Sequence, residues 1–204
     1  LQMLAYSGQG QIQVMHRQIN ELIIENSQLL RSAIGEKAQL LFVLATDLPL
    51  VEIDPGQFYQ VLINLVMNAA EADATVIRLC TQHKVLDPVN RPEESVYWQY
   101  TAQPLAAGPY VALLVEDNGQ GMDAATQEKI FDPFFSTKFT GRGLGLAALL
   151  GIVRGHKGGI TVQSQLGQGS TFQLLFPIVP PLPATTTRSS QTATPTPAFL
   201  AGHK

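Results

Sequence analysis

Two glycine clusters and a stripe of amides are the features of this sequence that most suggest a binding site. Glu116-Asp117-Asn118-Gly119-Gln120-Gly121-Met122 follows directly on the apolar run Pro109-Tyr110-Val111-Ala112-Leu113-Leu114-Val115. A carboxylate at the end of a buried strand can accept a hydrogen bond from an exocyclic amine, which favours adenine over guanine. The same Asp-Asn-Gly string also suits a plain tight turn. Gly119 and Gly121 let the backbone turn closely beneath a flat ring. Farther along, Gly141-Arg142-Gly143-Leu144-Gly145-Leu146 opens an apolar helix. Alternating glycines there leave backbone N–H groups uncovered, and a helix N-terminus favours anions. The cluster is neither a Rossmann fingerprint nor a Walker A loop, because no strand directly precedes it and Gly-Lys-Ser/Thr occurs nowhere. Phosphates would rest on backbone amides, with Lys138 or Arg142 as side-chain partners; Lys138 equally suits a solvated surface.

The amide stripe is Gln60, Asn64 and Asn68, four apart, with Gln57 and Glu71 beside it. It fits either a solvated helix face or a pair of carbonyl oxygens offered to one hard cation. Between the glycine clusters lies Ile130-Phe131-Asp132-Pro133-Phe134-Phe135-Ser136-Thr137-Lys138. Its phenylalanines are expected to anchor in the core and pin the ends of a lid. An acid pocket, an aromatic hinge and a phosphate cradle in that order suggest a nucleotide site.

These residues need elements to hold them. Residues 1–10 read as a helix end and a Ser/Gly linker, and 12–15 as a short edge strand. Helical spacing over 17–33 places Ile19, Leu22, Ile23, Leu29, Leu30 and Ala33 on one face. Strands are expected at 38–45 and 50–53. Asp54 and Pro55 then mark a helix start, and the helix runs to about residue 72, packing through Phe58, Val61, Leu62, Leu65 and Val66. Strands follow at 74–83 and 96–102 around an exposed 84–95 loop, then the central strand from Tyr110. A helix over 144–156 stops at Lys157-Gly158-Gly159, and strands at 160–165 and 171–176 form a hairpin. The alternation predicts a two-layer α/β sandwich, a mixed sheet covered by helices on one face. The catalytic unit is expected over residues 12–178, with residues 179–204 a disordered Pro/Thr-rich linker or tail.

Composition excludes several classes. A formal charge of −3 over 204 residues gives no broad attraction to nucleic acid or an anionic membrane. Cys80 is the only cysteine, so no internal disulfide forms, and the chain fits a reducing, cytoplasmic compartment. No apolar run is long enough to span a bilayer. Leu1 is no natural start, so an excised fragment is expected. His16 has no acidic neighbour directly after it, and His83, His156 and His203 have no partners at metal-ligand spacing.

The motif order resembles the catalytic ATP-binding domain of sensor histidine kinases, of the Bergerat fold shared with type II topoisomerases, mismatch-repair ATPases and heat-shock chaperone ATPases. QVLINLVMNAAEA (60–72) is similar to its N box, VEDNGQGM (115–122) to its first glycine box, and IFDPFFSTK to its F box. GRGLGLA (141–147) resembles the second glycine box and GQGSTFQLLFP the closing hairpin. The resemblance implies ATP and Mg²⁺ as ligands. Asn68 would hold the Mg²⁺ with Asn64 in support, Asp117 would bind the adenine amine, and Gly119 and Gly121 would form the base pocket. Lys138, Gly143, Leu144, Gly145 and Leu146 would line the phosphates, and Thr171 would sit near Asp117 through a hydroxyl or water. The short lid and the Phe-Phe-Ser-Thr-Lys string look like the nitrogen-sensor subgroup. Glu71 departs from the lysine that other subgroups carry there.

Hydrolysing relatives carry a Glu four residues before the metal-binding Asn; here that place is Asn64, and an amide is no base. The resemblance therefore favours a kinase over an ATPase, with a same-fold hydrolase or a non-catalytic nucleotide-sensing module as alternatives. The family's phosphoacceptor string, a His followed by an acidic residue and a Pro, is absent, and residues 1–11 resemble the tail of the helical dimerisation domain that bears it. Implied partners are that histidine-bearing domain and a downstream response regulator.

Overall fold

The computed structural model describes residues 13–91, 97, 100–101, 104–137 and 143–179. Residues 1–11, and the expected tail apart from Val179, lie outside the described residues. The elements run β1 (Met15–Arg17), α1 (Ile19–Ile34), β2 (Gln39–Val43), β3 (Val51–Ile53), α2 (Pro55–Glu71), β4 (Val76–Leu86), β5 (Gly108–Asp117), α3 (Ala124–Lys129), α4 (Gly145–Gly155), β6 (Gly159–Gln165) and β7 (Gly169–Pro177). A five-stranded sheet has the order β2-β4-β5-β7-β6. Only β2 and β4 pair in parallel; the other neighbours are antiparallel. β1 and β3 form a small antiparallel pair, tied to the end of β7 by a Val51–Ile178 bridge.

Alternation along the strands separates two apolar layers. Ile77 and Leu79 of β4, Val111, Leu113 and Val115 of β5, and Phe172, Leu174 and Phe176 of β7 face the helices. There they meet Phe58, Val61, Leu62, Leu65 and Val66 of α2, all buried; Phe58 and Phe176 meet edge to face with centroids 5.9 Å apart. α1 buries Ile19, Leu22, Ile23, Leu30 and Ile34, whereas Leu29 is 56% exposed. The packed stripe continues through Leu30, as expected, and then Ile34, leaving the expected Leu29 and Ala33 exposed.

The opposite sheet face carries a second, smaller cluster of Leu86, Tyr97, Leu105, Tyr110, Ala112 and Leu175. β5 is thus buried on both faces over part of its length, which explains its unbroken apolar run. The strand expected at 96–102 is not there in the described part: Tyr97, Tyr100 and Thr101 lie in turns, and β4 pairs directly with β5. Tyr97 covers the outer face and Tyr100 packs against the helix-side cluster instead of joining a ladder.

β4 also continues to Leu86, past the end expected for it, and β1 begins at Met15 rather than at residue 12. The six-residue α3 had no counterpart among the expected elements. It buries no side chain, so it leaves no apolar period to read.

Candidate functional site

Asp54 starts α2 as its cap, with Gln57 N donating to Oδ1 at 2.9 Å and Gln13 N to Oδ2 at 2.7 Å. Burial disfavours its charge, but the backbone N–H groups of Gln57, Gln13 and Gly56, with His156 nearby, outweigh that and hold the carboxyl below its usual range. At the other end of α2, Ala72 N donates to Asn68 O at 3.0 Å, and Ala72 O accepts from Gln120 N at 2.8 Å. The turn that carries Asn68 is therefore joined to the first glycine cluster.

That cluster is held by its own polar groups. Asp117 Oδ1 accepts from Gly119 N at 2.8 Å. Asn118 Oδ1 accepts from Thr75 N and Val76 N, each at 2.9 Å, and its Nδ2 donates to Thr75 Oγ1 at 2.9 Å. Gly121 has φ +66°, and a Cβ there would lie 1.9 Å from Gln165 O. At Gly119 a Cβ would lie 2.5 Å from Ala72 O. Both glycines are close approaches between backbones, so no side chain fits at either.

The antiparallel register decides which hydroxyl shares the side of Asp117. Asp117 stands opposite Ser170 and Ile77, and Glu116 opposite Thr171 and Arg78. Directly opposed residues project to one face, so Ser170 faces the helices with Asp117. Thr171 projects to the opposite face, where it lines an open depression of about 520 Å³ with Val76, Arg78, Glu116, Asp117 and Asn118. Ser164 Oγ accepts from Met122 N at 2.8 Å and donates to Gly169 O at 3.0 Å. Its single proton is then used, so Ser170 donates in the 2.9 Å contact between the two hydroxyls. Ser170 and Ser164 were missed by sequence reasoning; only strand register distinguishes Ser170 from Thr171.

One turn before Asn68 on α2, Asn64 Nδ2 donates to Gly145 O at 3.0 Å, bracing the first residue of α4. Asp54 and Asp123 carboxylates cap α2 and α3, whereas no side chain among the described residues caps α4 at Leu144. Its first turn is left with backbone donors for an anion. The far end of α4 is fixed by His156, which donates from Nδ1 to Ile152 O at 2.8 Å and accepts from Asp54 N at Nε2, 3.0 Å away. His156 is thus a strut between α4 and α2, a role no spacing argument indicated. Gly143 has φ +61°, and its carbonyl accepts from Phe134 N at 2.9 Å. Phe131 is buried and Phe135 packs on the core, but Phe134 is 78% exposed and is not an anchor. Lys138, Gly141 and Arg142 lie outside the described residues. Burial pushes the Cys80 thiol up, with Glu116 adding to the effect, so it is a poor nucleophile.

An uncapped helix start, an amide-bearing helix beside it and an acidic strand end sit in an α/β sandwich of the Bergerat type. The chain belongs to the histidine kinase-, DNA gyrase B-, and HSP90-like ATPase family, whose model matches residues 53–180. It is 35% identical over 181 residues to the signal transduction histidine-protein kinase AtoS of Escherichia coli, covering 88% of this chain and 26% of that protein. It is 38% identical over 161 residues to the sensor histidine kinase ZraS of the same species, covering 78% of this chain and 30% of ZraS. The chain thus spans less than a third of these relatives. Among solved structures, the catalytic domain of histidine kinase ThkA aligns with a TM-score of 0.56 at 25% identity, over 81% of this chain and 96% of that one. Full-length ShkA, solved in complex with AMPPNP, aligns with a TM-score of 0.63 at 24% identity, over 82% of this chain and 31% of its own. This is an ATP-binding catalytic domain of the two-component sensor histidine kinase type.

Proposed function

We propose that residues 12–178 bind Mg·ATP and deliver its γ-phosphoryl group to a histidine on a separate helical dimerisation domain, from which a response regulator would draw it. The observation that carries this reading is the pairing of α2 with the uncapped start of α4 through Asn64 and Gly145. In this reading Asp117 accepts a hydrogen bond from the adenine amine, and Gly119 and Gly121 form the floor beneath the ring. Ser170, on the same side as Asp117, takes the supporting hydroxyl role expected of Thr171. The backbone at Gly143, Leu144, Gly145 and Leu146 holds the phosphates, with Lys138 as a side-chain partner.

The donors suit Mg²⁺, which keeps several waters and binds through few protein oxygens plus substrate phosphates. Asn68 would supply the carbonyl oxygen. Asn64 keeps Oδ1 as an acceptor while its Nδ2 is used on Gly145. Among the described residues no cluster of His, Cys, Asp or Glu offers a dedicated cage. When bound, the ion would neutralise phosphate charge; the protein's own contribution is positioning. Asn64 cannot take a proton from water at neutral pH, which supports transfer over hydrolysis.

The Phe134-Phe135-Ser136-Thr137-Lys138 string supports a nitrogen-sensor-like subgroup. No helix among the described residues is long and apolar enough to cross a membrane, and we assign the domain to the cytoplasm, where ATP is available.

The test is to incubate the chain with radiolabelled ATP and a separately produced dimerisation domain of a related kinase. Acid-labile, base-stable label on that domain is expected. Steady phosphate release without labelling would support a hydrolase instead.

A further inference from the structure

Between β4 and β5, Tyr97 and Leu105 touch the outer sheet face, and Tyr100 touches Arg154 of α4 and Phe131 just past α3. Tyr97 and Leu105 lie on the outer face, with Tyr97 Oη donating to Gln173 Oε1 at 3.1 Å and Lys84 Nζ 4.9 Å from its ring centroid. At the sheet edge they crowd Gly159, where a Cβ would lie 2.5 Å from Leu105 Cδ1 and 2.7 Å from Tyr97 O. Past that edge Tyr100 packs its ring on Phe131, with centroids 4.7 Å apart at 55°. Its carbonyl accepts from Arg154 Nη2 at 2.6 Å.

These two contacts fall on the two sides of one junction. Phe131 leads into Phe134, whose N–H bonds Gly143 O, and Gly143 leads into α4, whose last turn carries Arg154. A Cβ at Gly143 would lie 2.4 Å from Phe134 C, so the two strands of the junction are in direct backbone contact. The Tyr100 ring holds the chain entering the junction, and the Tyr100 carbonyl holds the helix leaving it.

We propose that Tyr100 is a positioning residue for the phosphate-holding end of the nucleotide site. Its ring and carbonyl fix the Phe134–Gly143 junction relative to α4. The proposal rests on the reading of the α4 start as the phosphate cradle. A residue that only packs would affect every ligand alike. One that positions the cradle discriminates between ligands with phosphates and ligands without.

The chain is titrated with ATP and with adenosine in the presence of Mg²⁺. Wild-type ATP binding is established first; its absence would strike down the nucleotide reading itself. Given that binding, Tyr100→Ala is expected to weaken ATP by about two- to tenfold, the range of an aromatic pair lost from a packed contact. Its adenosine affinity is expected to match wild type, so that the ratio of ATP to adenosine affinity falls by the full ATP loss. Tyr100→Phe keeps both ring and carbonyl and restores ATP binding. Arg154→Met removes the donor to the Tyr100 carbonyl and repeats the ATP-selective loss; it carries the test alone if Tyr100→Ala does not fold. Unchanged ATP affinity in these variants, or proportional weakening of ATP and adenosine, overturns the proposal.

Discussion

Replacing Gly121 with Ala separates the two demands that the first glycine cluster makes on its backbone. Gly121 has φ +66° and its added Cβ would stand 1.9 Å from Gln165 O. Gly167, in the adjoining hairpin, has φ +76° and nothing within 4 Å of such a Cβ. Gly167→Ala therefore costs only the left-handed conformation, about 1–2 kcal/mol. Gly121→Ala adds a clash with main chain that no rotamer relieves, about 1–3 kcal/mol more if it resembles overpacking elsewhere. The expected total of about 2–5 kcal/mol is a large share of a domain's usual stability of about 5–15 kcal/mol. Urea unfolding of both variants beside wild type reads the difference, with equal slopes confirming the same two-state transition. If Gly121→Ala is no less stable than Gly167→Ala, the close approach of β6 to the glycine loop is wrong.

Three further outcomes follow from the same geometry. Asp117→Asn keeps an acceptor for Gly119 N but loses the charge offered to an exocyclic amine. ATP affinity should fall about tenfold or more, and preference over GTP should shrink; unchanged discrimination in competitive titrations would count against the base-pocket role. Asn64→Ala removes the brace on Gly145 O and should weaken ATP about two- to tenfold, the worth of one ordinary hydrogen bond. Equal affinity by calorimetry would show that α4 needs no such support. Asp54 has a depressed folded pKa, so its stabilisation is present above the ordinary carboxylate range and is lost as pH falls through the folded value. Asp54→Ala should cost about 0.5–2 kcal/mol at neutral pH, and the gap from wild type should close below about pH 4. A gap that stays constant from neutral to acid pH would refute the cap's ionic character.

The site was legible where its chemistry is local in sequence. Asp54-Pro55 announces a helix start, and Asp117 with Gly119 and Gly121 carries a turn whose geometry only glycine permits. Legibility failed where partners are set by tertiary register. Ser170 and Thr171 are adjacent hydroxyls, and only the pairing of β5 with β7 decides which one faces Asp117. Tyr97 and Tyr100 alternate like strand residues, yet one covers the outer face and the other packs on Phe131. His156 has no neighbour in sequence that suggests its bond to Asp54 N, distant in the chain. Phe134 looks like its buried neighbours in composition, but its backbone is at φ +69° and its ring is exposed.

The most direct test of the central claim is a calorimetric titration of the chain with ATP, with and without Mg²⁺, with GTP as control and Asn68→Ala as the metal-site variant. Selective ATP binding is expected, strengthened by Mg²⁺ in wild type and not in Asn68→Ala. Equal binding of ATP and GTP, or full Mg²⁺ dependence retained without Asn68, would contradict it.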